Sequence, residues 1–132
     1  MRTQLQVTIG QHTSAGRKSV NQDFHGARVP AEPLLSAKGI AAVLADGISS
    51  SQVSQIASQS AVSSFLDDYY CTSEAWSVKN AGQRVLSAVN SWLFSQSQSS
   101  PYRFDKDKGY VCTFTGIIFK SGKYVVIKWS NT

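Results

Sequence analysis

The sharpest pattern in the chain is Ile40-Ala-Ala-Val-Leu-Ala45, an unbroken apolar run closed by Asp46 and Gly47. A run this short between polar stretches predicts a strand over 40–45, buried on both faces. An acid at the end of such a strand is costly unless a cation, a basic side chain or N–H donors meet it. Gly47 permits a sharp turn and close backbone approach. Ser49, Ser50 and Ser51 follow as N-cap candidates for a helix over 51–69, with Val53, Ile56, Ala57, Ser60, Ala61, Ser64 and Phe65 at helical spacing. Strand, acid, glycine and helix start together make a site-building corner.

Elsewhere the pattern is plainer. Polar–apolar alternation over 4–9 predicts a half-buried outer strand, and 24–29 a weaker one. Residues 10–16 form a polar turn, and 17–23 a dense polar cluster. Pro30 and Pro33 mark 30–39 as a connecting loop. A second helix is expected over 73–98, capped by Thr72 or Ser73, with Val78, Ala81, Val85, Ala88, Val89, Trp92 and Leu93 as its buried stripe. Pro101 follows its end. Strands over 110–119 and 124–129 are joined by Lys120-Ser-Gly-Lys123, which has hairpin chemistry. The order predicts a single α+β domain over 1–132, with two long helices on one face of an antiparallel or mixed sheet.

Composition narrows the class. With 132 residues, 42% apolar and 16% charged, the chain is long enough for a real core. No apolar run approaches the ~20 residues of a membrane span, and Met1-Arg-Thr-Gln4 is no signal peptide, so no membrane partner and a cytoplasmic setting are expected. Cys71 and Cys112 are far apart and read as reduced core thiols. The net charge of +5 is spread, with Arg17-Lys18 and Lys106/Lys108 the only close pairs, which reads as solvated surface and predicts no nucleic-acid partner. His12 and His25 have no acid or Cys at ligand spacing. Ser49–Ser51 lack a nucleophile elbow and a His partner.

Taken in order, Asn21-Gln-Asp23, the strand ending Ala45-Asp-Gly47 and the helix with Ile56-Ala-Ser58 resemble the N-terminal half of a metal-dependent protein phosphatase of the PPM (protein phosphatase 2C) family. The corner Ala-Asp-Gly-Ile-Ser-Ser-Ser, the segment Asp-Asp-Tyr-Tyr-Cys-Thr at 67–72, and the runs 100–105 and 109–113 are most similar to the phosphatase part of bacterial proteins that also carry a serine/threonine kinase domain. The resemblance implies a partial α-β-β-α sandwich, a phosphoprotein substrate and a kinase domain as a covalent partner. It implies that Asp46 bridges two Mg²⁺ or Mn²⁺ ions, with the Gly47 carbonyl as a further ligand and Asp23 holding a metal-bound water. Gln22 stands where relatives have Glu, and either Lys18 or Arg17 meets phosphate. Two such ions activate a water for in-line attack.

The family's later Gly-Asp-Ser-Arg, Asp-Gly and Asp motifs are absent after Ile127-Lys-Trp-Ser-Asn-Thr132. The chain therefore reads as half of a phosphatase domain, inactive as it stands, with weak binding of a single ion and an uncovered sheet face that favours a homodimer through 110–129. Two other classes compete: a non-catalytic phosphatase-like regulatory module that binds a partner, and a small basic nucleic-acid-binding domain using Arg17, Lys18, Lys106 and Lys108.

Overall fold

A computed structural model describes residues 4–131, the Lys106 side chain excepted; the N-terminal residues 1–3 judged above for a signal peptide, and Thr132, lie outside the described residues. The chain folds in the order β1 (Asp23–Arg28), α1 (Leu34–Lys38), β2 (Ile40–Gly47), α2 (Ser54–Tyr69), α3 (Val78–Gln98), a 3-10 turn (Lys106–Lys108), β3 (Cys112–Lys120) and β4 (Lys123–Ser130). The class is α+β. One four-stranded sheet in the order β1-β2-β3-β4 is antiparallel throughout, with no parallel pairing. Two helices up and down return the chain to the end of the sheet it left, so Cys112 at the start of β3 pairs with Gly47 at the end of β2.

Both long helices pack on one face. Ala41, Val43 and Ala45 of β2, Cys112, Phe114 and Ile118 of β3, and Ile127 of β4 meet Ala57, Ala61, Phe65, Val85 and Leu93 in one buried cluster. Phe65 stacks on Tyr69 at 5.6 Å between centroids and lies 5.0 Å from Phe114. Small residues set the helix-to-sheet distance: a Cβ on Gly26 would stand 2.9 Å from Leu66 Cδ1 and 3.2 Å from Val62 Cγ1.

The two ends of α2 are tied down by polar side chains. At its C-terminal end Tyr69 donates to the Lys38 carbonyl at 2.7 Å, and Tyr70 to those of Gly39 at 2.9 Å and Arg28 at 3.2 Å. Buried Lys38 donates to Thr72 Oγ1 and the Ser73 carbonyl at 2.6 and 2.7 Å, and its burial, seconded by the charge of Lys120, pulls its amine below the usual value. Arg28 reaches the Leu66 carbonyl and Asp67. At the N-terminal end Ser54 Oγ donates to the Val111 carbonyl at 2.7 Å, and Ser51 Oγ to that of Gly109 at 2.6 Å.

Several expectations are corrected. The alternating segment 4–9 forms no strand, and Val7 and Ile9 are exposed, because alternation without a partner edge gains no ladder bonds. β2 is not buried on both faces throughout: Ala41, Val43 and Ala45 point to the helices, while beyond the buried Ile40 the other side opens, with Leu44 50% exposed where no helix covers it. The loop over 30–39 contains α1. Helix α2 starts at Ser54 with no side-chain cap, Ser50 and Ser51 turning their hydroxyls to the carbonyls of 107–109, and its stripe is rotated so that Ile56 is exposed while Ser54, Ser58 and Leu66 are buried. Helix α3 is capped by Ser77, whose Oγ accepts from Asn80 N at 3.1 Å; Thr72 instead bonds the Tyr69 carbonyl, and Ser73 closes a turn onto Ala75. Trp92 and Ala88 lie outside its buried stripe. Both cysteines are free, but Cys71 is exposed and only Cys112 is in the core. The hairpin turn matches its chemistry: Ser121 and Gly122 both take positive φ, 55° and 72°, as a two-residue turn matched to strand twist requires. Among the described residues no helix is long and apolar enough to cross a membrane.

Replacing Phe65 by Ala should cost about 3–5 kcal/mol in urea unfolding, because a fully buried ring touching both helix and sheet is lost. Trp92→Ala should cost about 1 kcal/mol or less, its ring being nearly half exposed.

Candidate functional site

The antiparallel register of β1 and β2 puts Asp23 directly opposite Asp46 at the end of the sheet where the Gly47 corner begins. Both lie on the face away from the helices, because residues two apart along a strand share a side and Ala45 occupies the helix side. Hydrogen bonding of the protonated Asp46 carboxyl to Asp23, then partial burial, then the charge of Asp23 hold the Asp46 carboxyl above the usual carboxylate value, against a lowering pull from Lys18. Like charges directly opposite across a sheet destabilise it unless a proton or a cation sits between them.

Gly47 makes this arrangement fit. Its N–H donates to the Gln22 carbonyl at 3.0 Å. A Cβ there would stand 2.7 Å from Ser54 Cβ, 2.9 Å from the Ser54 carbonyl oxygen and 3.0 Å from that of Gln22, two of them backbone atoms that cannot give way. Glycine is therefore demanded by close approach of the loop, the helix start and the residue before β1. Gln22 spends its amide nitrogen on the Ser51 carbonyl at 2.6 Å and so braces the loop after β2. Asn21 reaches back to Thr13 Oγ1 and accepts from Asp23 N, which holds the approach to β1.

Both basic residues are exposed; Lys18 lines a cavity of about 430 Å³ and acts electrostatically on Asp46, and Arg17 lies in the turn before it. They sit in a turn, with Lys18 N bonded to the Ala15 carbonyl, and not on a strand where neighbours would alternate. Ser19, Ser49, Gln52 and Gln55 complete the cavity's polar lining. These four carry no motif, but Ser19, Ser49 and Gln52 lie within five residues of Lys18 or Gly47 and Gln55 is in the first turn of the helix that follows, so the corner itself is the signal for them. Thr113, paired with Asp46 from β3, has its hydroxyl 3.5 Å from the Asp46 carbonyl. Cys112 beside it is pushed up to about 12 by burial first and the charge of Asp46 second, so it is an inert thiol. His12 and His25 lie over the uncovered face of the sheet.

The side-chain donors that the register brings together at this corner are the oxygens of two carboxylates. Such a set suits one hard divalent cation that keeps several waters. It does not suit a pair of ions. Among the described residues no group of three or more His, Cys, Asp or Glu side chains is placed to hold a metal.

The raised Asp46 value fixes a sign. A carboxyl whose folded value is raised contributes stability while protonated, and that contribution is lost as pH rises through the folded value. Without divalent cations, Asp46→Asn should therefore raise the melting temperature at pH 7 by about 1–4 °C, with the gain shrinking towards pH 4, as followed by circular dichroism. Gly47→Ala should lower stability by about 1–3 kcal/mol in urea unfolding, because backbone must move to admit the methyl group. Compared with known proteins, the chain matches no protein-family model, no curated protein and no solved structure.

Proposed function

We propose that this chain is the N-terminal portion of a metal-dependent phosphoserine/phosphothreonine protein phosphatase of the PPM type. In this reading its sheet and helix pair are one side of an α-β-β-α sandwich, and Mg²⁺ or Mn²⁺ is the cofactor. The observation that supports it is the facing of Asp23 and Asp46 beside the Gly47 corner, with the Lys18 charge next to them. A divalent ion there would relieve the repulsion between the carboxylates. Lys18 would offer its point charge to a phosphoryl oxygen at the rim of the polar cavity. Hydrolysis of a phosphoprotein in the cytoplasm would need further carboxylates to complete an ion pair, so no bond-breaking step is assigned to these residues alone. The proposed covalent partner is a kinase domain.

A second reading, a non-catalytic partner-binding module with the same fold, is favoured by one feature, the uncovered apolar face around Leu44. Nothing favours nucleic-acid binding: Lys18 acts on Asp46, and Lys108 lies 3.9 Å from Asp105.

Calorimetric titration with Mn²⁺ should show weak binding of one equivalent, and Asp46→Asn should abolish it. Identical titrations of the two proteins would make Asp46 a turn residue. The purified chain should hydrolyse p-nitrophenyl phosphate no faster than buffer with Mn²⁺; brisk Mn²⁺-dependent turnover would mean that its own residues complete the centre.

A further inference from the structure

We infer that the uncovered face of the sheet is a self-association surface that pairs with the same face of a second copy, β1 of each lying over β4 of the other. The pairing concerns the 132-residue chain by itself; in the phosphatase reading a second sheet would take the place of the second copy on this face.

The face is graded along the strands. Its first row is acidic and polar, Asp23, Asp46 and Thr113; Ala42, Ile117 and Val126 form an apolar row further along. Beyond it Phe119 and Tyr124 pack together at 6.4 Å between centroids. Leu44, half-exposed although it lies on an inner strand, and Val126, 48% exposed, have no helix above them. A trough of about 560 Å³ runs over this side, walled by residues 9–12. Inner-strand apolar side chains open to water mark a surface built to be covered.

Size sets the strength. Four strands ~4.8 Å apart and about seven residues long at ~3.3 Å each present roughly 440 Å² in projection. Two copies remove roughly 880 Å², and Ile9, exposed beside the trough, brings the total towards the ~1,000 Å² at which specific interfaces begin. The pairing is therefore reversible and weak, not obligate.

The grading also sets the orientation. A two-fold axis across the strands would lay Asp23 and Asp46 on the apolar end of the other copy, at a heavy desolvation cost. An axis parallel to the strands keeps polar row on polar row and apolar row on apolar row. It lays β1 over β4, so Lys128 of one copy stands one row from Asp23 of the other, within reach of a lysine side chain. Two such opposite-charge approaches arise per dimer. Edge-to-edge pairing through β4 is the competing mode, and the exposed Lys123 and Lys128 on that strand oppose it.

Sedimentation equilibrium of the 132-residue chain from micromolar to near-millimolar concentration tests this. The mass should rise reversibly from 14.3 kDa to twice that value and no further. Val126→Lys, on an outward position, should weaken association by about tenfold or more while leaving circular dichroism and melting unchanged. Lys128→Asp and Asp23→Lys should each weaken it a few-fold, and the double exchange should recover most of the loss. A monomer at all concentrations, including one whose face binds an apolar dye, overturns the proposal, as does a mass climbing past the dimer. Association indifferent to Val126→Lys, or a double exchange no better than the single ones, overturns the face or the axis.

Discussion

Everything in this molecule hangs on how α2 is held across β1, β2 and β3. Its inner surface is narrow: Ala57, Ala61 and Ser58 let it lie close, and Gly26 makes room for Val62 and Leu66. Burial of that strip supplies the adhesion. The hydrogen bonds at its ends supply the register, because a hydroxyl bonded to one carbonyl at 2.6–2.7 Å does not tolerate a slide of one helical turn. Serines hold the end next to the Gly47 corner; tyrosines and Lys38 hold the other. Between these anchors the aromatic contacts of Phe65 with Tyr69 and Phe114 join helix to sheet.

The acid corner is a consequence of that clamp. With Ser54 fixed against Val111 and Gln22 bonded to both Gly47 and Ser51, the loop after β2 has one path. The path leaves no space for a Cβ on residue 47 and sends Asp46 to the side facing Asp23. The repulsion between the two carboxylates is thus imposed by packing elsewhere. A proton relieves it at low pH; at neutral pH only a cation can, whether the ammonium of Lys18 from outside or a divalent ion between the oxygens.

Much of this was legible in the residues. The apolar run ending in Asp46-Gly47, the two helices and the Ser121-Gly122 hairpin follow from local pattern, and local pattern is what periodicity reads. What escaped depends on neighbours. The alternation over 4–9 looks like a strand and is none, because no edge receives it. Continuous hydrophobicity over 40–45 suggested burial on both sides, yet Ala42 and Leu44 face away from the helices. Serine hydroxyls that read as helix caps are spent on carbonyls some 57 or 58 residues away, a pairing no spacing rule announces. The facing of Asp23 with Asp46 required the strand register, which the sequence order suggests only through resemblance.

The two surfaces with chemistry left to do are one surface. Strand alternation forces residues 42, 44 and 46 to the same side, so the side that carries the acid pair must also carry Ala42 and Leu44. The helix side has no such role, since its polar groups are spent: Ser51 and Ser54 are bonded, and only the buried Ser58 hydroxyl lacks a partner among the described residues. Whatever covers the apolar rows therefore comes to rest beside Asp23 and Asp46 and lowers the dielectric around them. Covering the face raises the cost of leaving both acids ionised. Were a cation held between them, its binding and the covering of the face would be linked, each changing the other by the same free energy.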